Sequence, residues 1–300
     1  VVCKRVMGRD IPQLEGTTKL HDVIPIDTAK EYLTLRGHTK AIELLDSLVA
    51  ETTKEKKNGF LGSSDEFGAC RVQFGKSVVS ILDSLKPKQR KNVHAFDSDL
   101  EGSVGLNFIR ENHPDCFTSG GVQERNNFLA AAGFGSEKGK QGIFATFSAF
   151  MEMVISEITM SRLNDANVLA HFSHAGVDHM SDNTCHFGLN NFFADNYVEE
   201  GSATGLYFPA DVNQMDAVVN RIFGEHGLKF IFSNRSKTPL ILDNNGESFY
   251  GSGYEFTPGV DEIIREGKDG WIISYGDMLH RCLHIVEEYK EQGVSIGLVN

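Results

Sequence analysis

Apolar positions fall into short runs set between longer amphipathic stretches, and the alternation is densest from residue 93 to residue 232. Runs at 93–96, 142–146, 168–172, 205–208 and 229–232 are too short for helices and predict strands. Stretches at 105–112, 122–133, 147–163 and 212–223 predict the helices between them. A further helix is expected over 67–85, with Val72, Val78, Val79, Ile81, Leu82 and Leu85 on its apolar side. This alternation implies an α/β fold: a parallel sheet flanked by helices on both faces, with right-handed crossovers. The strand at 93–96 runs into Asp97-Ser98-Asp99. Polar groups at the carboxyl end of a strand in an open α/β sheet are where ligands usually bind.

The flanks read differently. Residues 1–6 form a strand pattern with no obvious partner, followed by helices at 28–35 and 39–50. Asp27 or Thr28 can cap the first of these helices and His38 or Thr39 the second. Residues 51–62 are polar, charged and aperiodic, which marks a linker. After the turn-rich 239–253, a strand at 271–275, a helix at 277–292 and a strand at 294–299 make one more unit. Two strands cannot bury a core alone. The expected domains are therefore the tail of a preceding domain (1–50), a central domain (63–240) and the start of an incomplete third α/β domain (241–300).

Composition narrows the partners. The 300 residues are 40% hydrophobic and 23% charged, ordinary for a globular chain. A net charge of −12 argues against a nucleic-acid backbone as partner but leaves room for a small phosphorylated ligand held by one or two arginines. No window approaches the roughly 20 apolar residues of a membrane span, and no signal-like segment opens the sequence. The 5 cysteines are scattered without a CxxC, which fits reduced thiols in a cytoplasmic compartment. The chain opens on Val1, so a natural start elsewhere is expected.

Candidate chemistry concentrates in two stretches. In 120–150, Gly120-Gly121 precede a helix start at which Glu124 lies, the apolar run 128–132 follows, and Gly133 and Gly135 are expected to end the helix. After the strand at 142–146, Phe147, Phe150 and Met153 recur at helical spacing. A carboxyl group and two rings at the ends of neighbouring elements can line a pocket for a flat heterocycle; equally, the rings can be core and Glu124 a partner of the helix dipole. The second stretch holds His171, His174, Asp178, His179, Asp182, Cys185 and His186. Imidazole, thiolate and carboxylate are metal ligands, yet no familiar zinc spacing such as HExxH occurs, so no metal site is expected here. A polar loop with incidental histidines is the other reading.

The segments GGVQERNN, ATFSAF, HFSHAGVDHMSDNTCH and LYFPAD, in this order, resemble the pyrimidine-binding domain of the transketolase family across residues 93–235. The resemblance implies a thiamine-diphosphate-binding fold and transfer of a two-carbon ketol unit between a ketose phosphate and an aldose. By that resemblance, Glu124 bonds the aminopyrimidine of thiamine diphosphate and favours its imino form, with Phe147, Phe150 and Met153 packed around the ring. Asp99 would lie beside the cofactor across the boundary of a homodimer. His174 and His186 would move protons on the substrate, Asp182 would recognise a hydroxyl, and His21 would match a histidine at the end of the diphosphate-binding domain. Ser103, Arg235 and Arg71 match the residues that hold the sugar phosphate.

Two departures bear on this. The family's Gly-Glu-Asp-Gly-Pro-Thr-His loop reads Met180-Ser181-Asp182-Asn183-Thr184-Cys185-His186, which puts the accepted sugar in question. No Gly-Asp-Gly occurs; Gly276-Asp277-Met278 is the nearest and falls in the wrong domain. The ligands for Mg2+ and the diphosphate are therefore expected outside this chain. A beta-type subunit of an oxoacid dehydrogenase, a dihydroxyacetone synthase and a non-catalytic assembly protein remain alternatives.

Overall fold

A computed structural model describes residues 8–16, 24–52, 59–176 and 204–300. The strand expected at 1–6 lies outside them, as does the stretch 177–203. The chain divides into two compact units, Val1–Asn58 and Gly59–Asn300. In the first, α1 (Ile26–Leu35) and α2 (Thr39–Thr52) are joined by a turn in which Gly37 takes φ +71°. An ion pair from Lys30 to Asp46 links the two helices. No residue of α1 is buried.

The second unit runs β1 (Ser63–Gly68), α3 (Cys70–Ser84), α4 (Pro87–Arg90), β2 (Val93–Asp97), α5 (Glu101–Val104), α6 (Asn107–Asn112), β3 (Phe117–Ser119), α7 (Glu124–Gly135) and β4 (Gln141–Phe147). It continues through a 3-10 segment (Ser148–Val154), α8 (Ile155–Leu163), β5 (Val168–Ser173), β6 (Thr204–Tyr207), α9 (Val212–Ile222), β7 (Leu228–Phe232) and β8 (Thr238–Ile241). It ends with β9 (Ile263–Arg265), β10 (Gly270–Ile273), α10 (Leu279–Glu291) and β11 (Ile296–Val299).

Six strands form an all-parallel sheet in the order β3-β2-β4-β5-β7-β6, as the alternation of the sequence implies. Successive residues of each central strand feed opposite cores. Ile143, Ala145, Leu169 and Ile231 pack with Phe74, Val78 and Val218 of α3 and α9 on one face. Phe144, Ala170, Phe172 and Phe230 pack with Phe128, Ala131 and Ile158 of α7 and α8 on the other. At the amino-terminal edge, the buried Lys229 donates to Gln141 Oε1 (2.9 Å), Asn167 Oδ1 (2.6 Å) and the Glu225 carbonyl, which tie three strands together.

Several boundaries differ from expectation. Phe67 and Gly68 end β1 instead of opening a helix, because β1 pairs antiparallel with β8. Gly133 lies inside α7, which runs on to Gly135. Phe147 is the last residue of β4, and the expected helix over 147–163 is a 3-10 segment followed by α8. Near the end of the chain, β10 and β11 are parallel with α10 as crossover, and β9 adds antiparallel to β11. This small sheet shares a core with the rest of its unit, through Ala210, Ile241, Tyr250, Ile264, Leu283 and Leu298.

Candidate functional site

The connection from β2 to β3 carries α5 and α6 over one face of the sheet, and the connection from β3 to β4 carries α7 over the other. The carboxyl ends of β2 and β4 therefore diverge into a crevice, the usual ligand position in an open parallel sheet. A glycine pair shapes one wall. A Cβ on Gly120 would lie 1.9 Å from Asn127 Oδ1, and Gly121 takes φ +72°. Bare backbone there lets the Asn127 amide reach the carbonyls of Asp97 (3.0 Å) and Gly121 (2.9 Å) and the Ser98 hydroxyl (3.0 Å).

That clamp fixes the first turn of α7 against the end of β2. Glu124, Asn127, Phe128 and Ala131 form the buried face of the helix. Glu124 is 5% exposed at the helix start, where main-chain N–H groups favour an anion. Its carboxylate accepts no hydrogen bond from the described residues.

Asp97, buried at the end of β2, accepts from the N–H groups of Asp99 (2.7 Å) and Leu100 (3.2 Å). Burial pushes its carboxyl up to about 6 in spite of those bonds. The turn it closes holds Asp99 at φ +64°. At the end of β5, His174 also takes a left-handed backbone, φ +59°. Side chains with a Cβ rarely adopt this region, and both strained residues lie at the same edge of the sheet.

Three rings converge there. Phe147 stacks on Phe150 with centroids 5.7 Å apart, and His174 lies 4.0 Å from Phe147. Ser173 Oγ is 2.9 Å from His174 Nδ1. Met153 is 49% exposed on the 3-10 segment, whereas Met151 is in the core.

Arg71, Ser103 and Arg235 also meet. Arg71 donates from Nη1 to the Ser103 carbonyl (2.9 Å) and from Nε to the Arg235 carbonyl (3.1 Å). Beside Arg235, a cavity of about 340 Å3 is lined by Phe208, Phe232, Asn234, Tyr275 and Asp277. A larger one, about 840 Å3, opens between α3, α9 and residues 250–257, away from the strand ends. Volume alone does not make it the site: the strained backbone, buried carboxyls and ring cluster are at the strand ends.

His21, Asp182 and His186 lie outside the described residues, with His179 and Cys185. Among the described residues, no three His, Cys, Asp or Glu side chains are grouped to hold a metal ion. His171 is a core residue, stacked on Phe74 at 4.4 Å. Asn127 carries a structural role that sequence reasoning missed. Its signal was its position, three residues after Glu124 on the same helical face.

No protein-family profile matches the chain. It is 25% identical to an uncharacterized transketolase family protein of Sinorhizobium fredii, over 73% of this chain and 60% of that one. It is 24% identical to a transketolase C-terminal section of Methanocaldococcus jannaschii, over 79% of this chain and 71% of that one. A 1-deoxy-D-xylulose-5-phosphate synthase of Carboxydothermus hydrogenoformans is 24% identical over 80% of this chain, but only 37% of the synthase is covered. Among solved structures, an inactive beta4 tetramer of a split-gene transketolase superposes with a TM-score of 0.60 at 23% identity, covering 77% of this chain and 70% of that one. That likeness establishes the fold. No helix among the described residues is long and apolar enough to cross a membrane.

Proposed function

We propose that this chain, a divergent member of the transketolase family, supplies the pyrimidine-binding half of a thiamine-diphosphate site for two-carbon ketol transfer from a ketose phosphate to an aldose. The carrying observation is Glu124: a carboxyl buried at the start of α7, at the same sheet edge as the stacked Phe147 and Phe150, and unbonded by the described residues. These groups fit a flat nitrogen heterocycle that needs one hydrogen bond and two apolar faces.

When bound, thiamine diphosphate supplies a carbon nucleophile and an electron sink. Glu124 would hydrogen-bond a ring nitrogen, and Phe147 and Phe150 would exclude water from the ring. His174, packed on Phe147, would exchange a proton with a substrate oxygen. Asp99 lines the same edge. Ser103 and Arg235 take the substrate's phosphate, and Arg71 braces them. Met153, half exposed on the 3-10 segment, would pack on the ring beside Phe147 and Phe150. Asp182, His186 and His21 enter the proposal by resemblance alone. The ligands for the diphosphate and Mg2+ would come from a second polypeptide or a further domain, since the sequence contains no Gly-Asp-Gly.

Glu124→Gln tests the reading. In the complete enzyme, a fall in turnover of about 10²-fold or more is expected, the scale of losing a positioned proton-transfer group. Turnover equal to wild type overturns the role of Glu124. The likeness to 1-deoxy-D-xylulose-5-phosphate synthases favours a second reading, the same cofactor edge with a different carbonyl donor. A panel of donor and acceptor substrates separates the two.

A further inference from the structure

We infer that His171 is a positioning residue for the anion-binding end of the site: it holds α5 and the segment after β7 at the separation that Ser103 and Arg235 need to share one phosphate. The inference rests on the phosphate role proposed for those two residues.

On its own, α5 has little to fix it. It is one turn long, has no side-chain cap at its start and ends at Gly105 with φ +84°. Its position comes from what presses on it. A Cβ on Gly75 of α3 would lie 1.9 Å from the Gly105 carbonyl oxygen, so α3 and the end of α5 are in contact through bare backbone. Two side chains then reach from the α5 carbonyls to the segment after β7. Arg71 is the first, joining the Ser103 and Arg235 carbonyls.

His171 is the second. Its Nδ1 is 3.1 Å from the Val104 carbonyl, and its Nε2 is 2.8 Å from Ser233 Oγ. A carbonyl only accepts, so Nδ1 carries a proton. Burial, with His174 and Arg71 nearby, holds the imidazole down to about 3, so the ring is neutral and Nε2 accepts the Ser233 hydroxyl.

The two struts run in parallel, one residue apart at the α5 end and two residues apart at the other. The Arg71 strut is charged and half-buried; the His171 strut is neutral and fully buried. An imidazole suits the second because it offers a donor and an acceptor on opposite edges of a ring flat enough to stack on Phe74. Neither partner of His171 is a ligand in the proposal. Each is the chain neighbour, or next neighbour, of one: Val104 follows Ser103, and Ser233 precedes Arg235 by two residues.

The test uses the full chain with inorganic phosphate as probe, followed by titration calorimetry and by thermal melting. His171→Phe keeps the stack and loses both bonds. His171→Asn keeps an amide donor where Nδ1 was, and Ser233→Ala removes only the Nε2 bond. Phosphate affinity is expected to fall about tenfold or more in His171→Phe, the scale of one or two buried hydrogen bonds. Recovery is expected in His171→Asn beyond what its melting temperature recovers, because affinity follows the position of α5 and melting follows the whole core.

If wild type and Arg235→Ala bind phosphate equally or not at all, the phosphate role fails and the inference falls with it. If Arg235→Ala loses binding while the His171 and Ser233 variants bind like wild type, the inference alone is overturned. Should His171→Phe fail to fold, Ser233→Ala and His171→Asn decide, and wild-type affinity in both overturns it.

Discussion

Asp97 is a carboxyl with two opposed demands on it. Two main-chain N–H bonds favour the ionised form, burial opposes it, and burial prevails, raising the group from 3.8 to about 6. Because the folded state holds this proton more tightly than the unfolded chain, the contribution to stability is fully present below 3.8 and is lost as pH rises through 6. An amide oxygen can accept the same two bonds without a charge. Asp97→Asn is therefore expected to gain on wild type between pH 4 and pH 7, read as the urea midpoint of each at both values. A constant difference between the two would show that the carboxyl is ionised throughout. At this scale the sequence was informative about residue type and poor about role. Asp97-Ser98-Asp99 marked a strand end, but nothing in it showed that Asp97 turns the chain while Asp99 takes the strain. Arg71 was singled out by resemblance alone as a phosphate ligand; the structure shows two of its donors committed to carbonyls, a use that no pattern of residues encodes.

Among the elements, the central strands were readable because a parallel sheet covered on both faces buries every residue of β4, β5 and β7 and so leaves continuous apolar runs. The strands that were missed lack that signature. β1 is the polar SSDEFG, while β3 and β9 are three residues each. Phe147 was assigned to a helix because the ring spacing from 147 to 153 fits one; it ends a strand because its neighbours pair in register with β5 up to Ser173. The fit of α7 over β4 leads to a prediction. A Cβ on Gly142 would lie 2.0 Å from the Ala131 carbonyl oxygen, main chain that cannot swing aside. Gly142→Ala is expected to cost about 1–3 kcal/mol of stability by overpacking. If Glu124 has its proposed role, the variant should also weaken thiamine-diphosphate binding, since α7 carries that residue. A variant that melts and binds like wild type would show that α7 moves without consequence for its first turn.

For the whole molecule, the question is what covers the apolar surface of α7, the 3-10 segment and α8, where Leu129, Met153, Ile155, Met160 and Leu163 are exposed. α7 and the 3-10 segment border the sheet edge proposed to hold the cofactor, and self-association through this surface would bring a second copy to Asp99 and Met153. Sedimentation of wild type is expected to give a dimer or larger assembly, and Met160→Glu with Leu163→Glu is expected to shift it to monomer. A monomeric wild type would place the partner elsewhere. The left-handed residues at the ends of β2 and β5 have another consequence. Asp99 and His174 each hold a backbone state that glycine adopts without penalty, at a cost of order 1–3 kcal/mol apiece. A library of variants selected only for resistance to heat should accumulate glycine at those two positions early, and the hardiest survivors should be the ones that have lost their hold on the ligand.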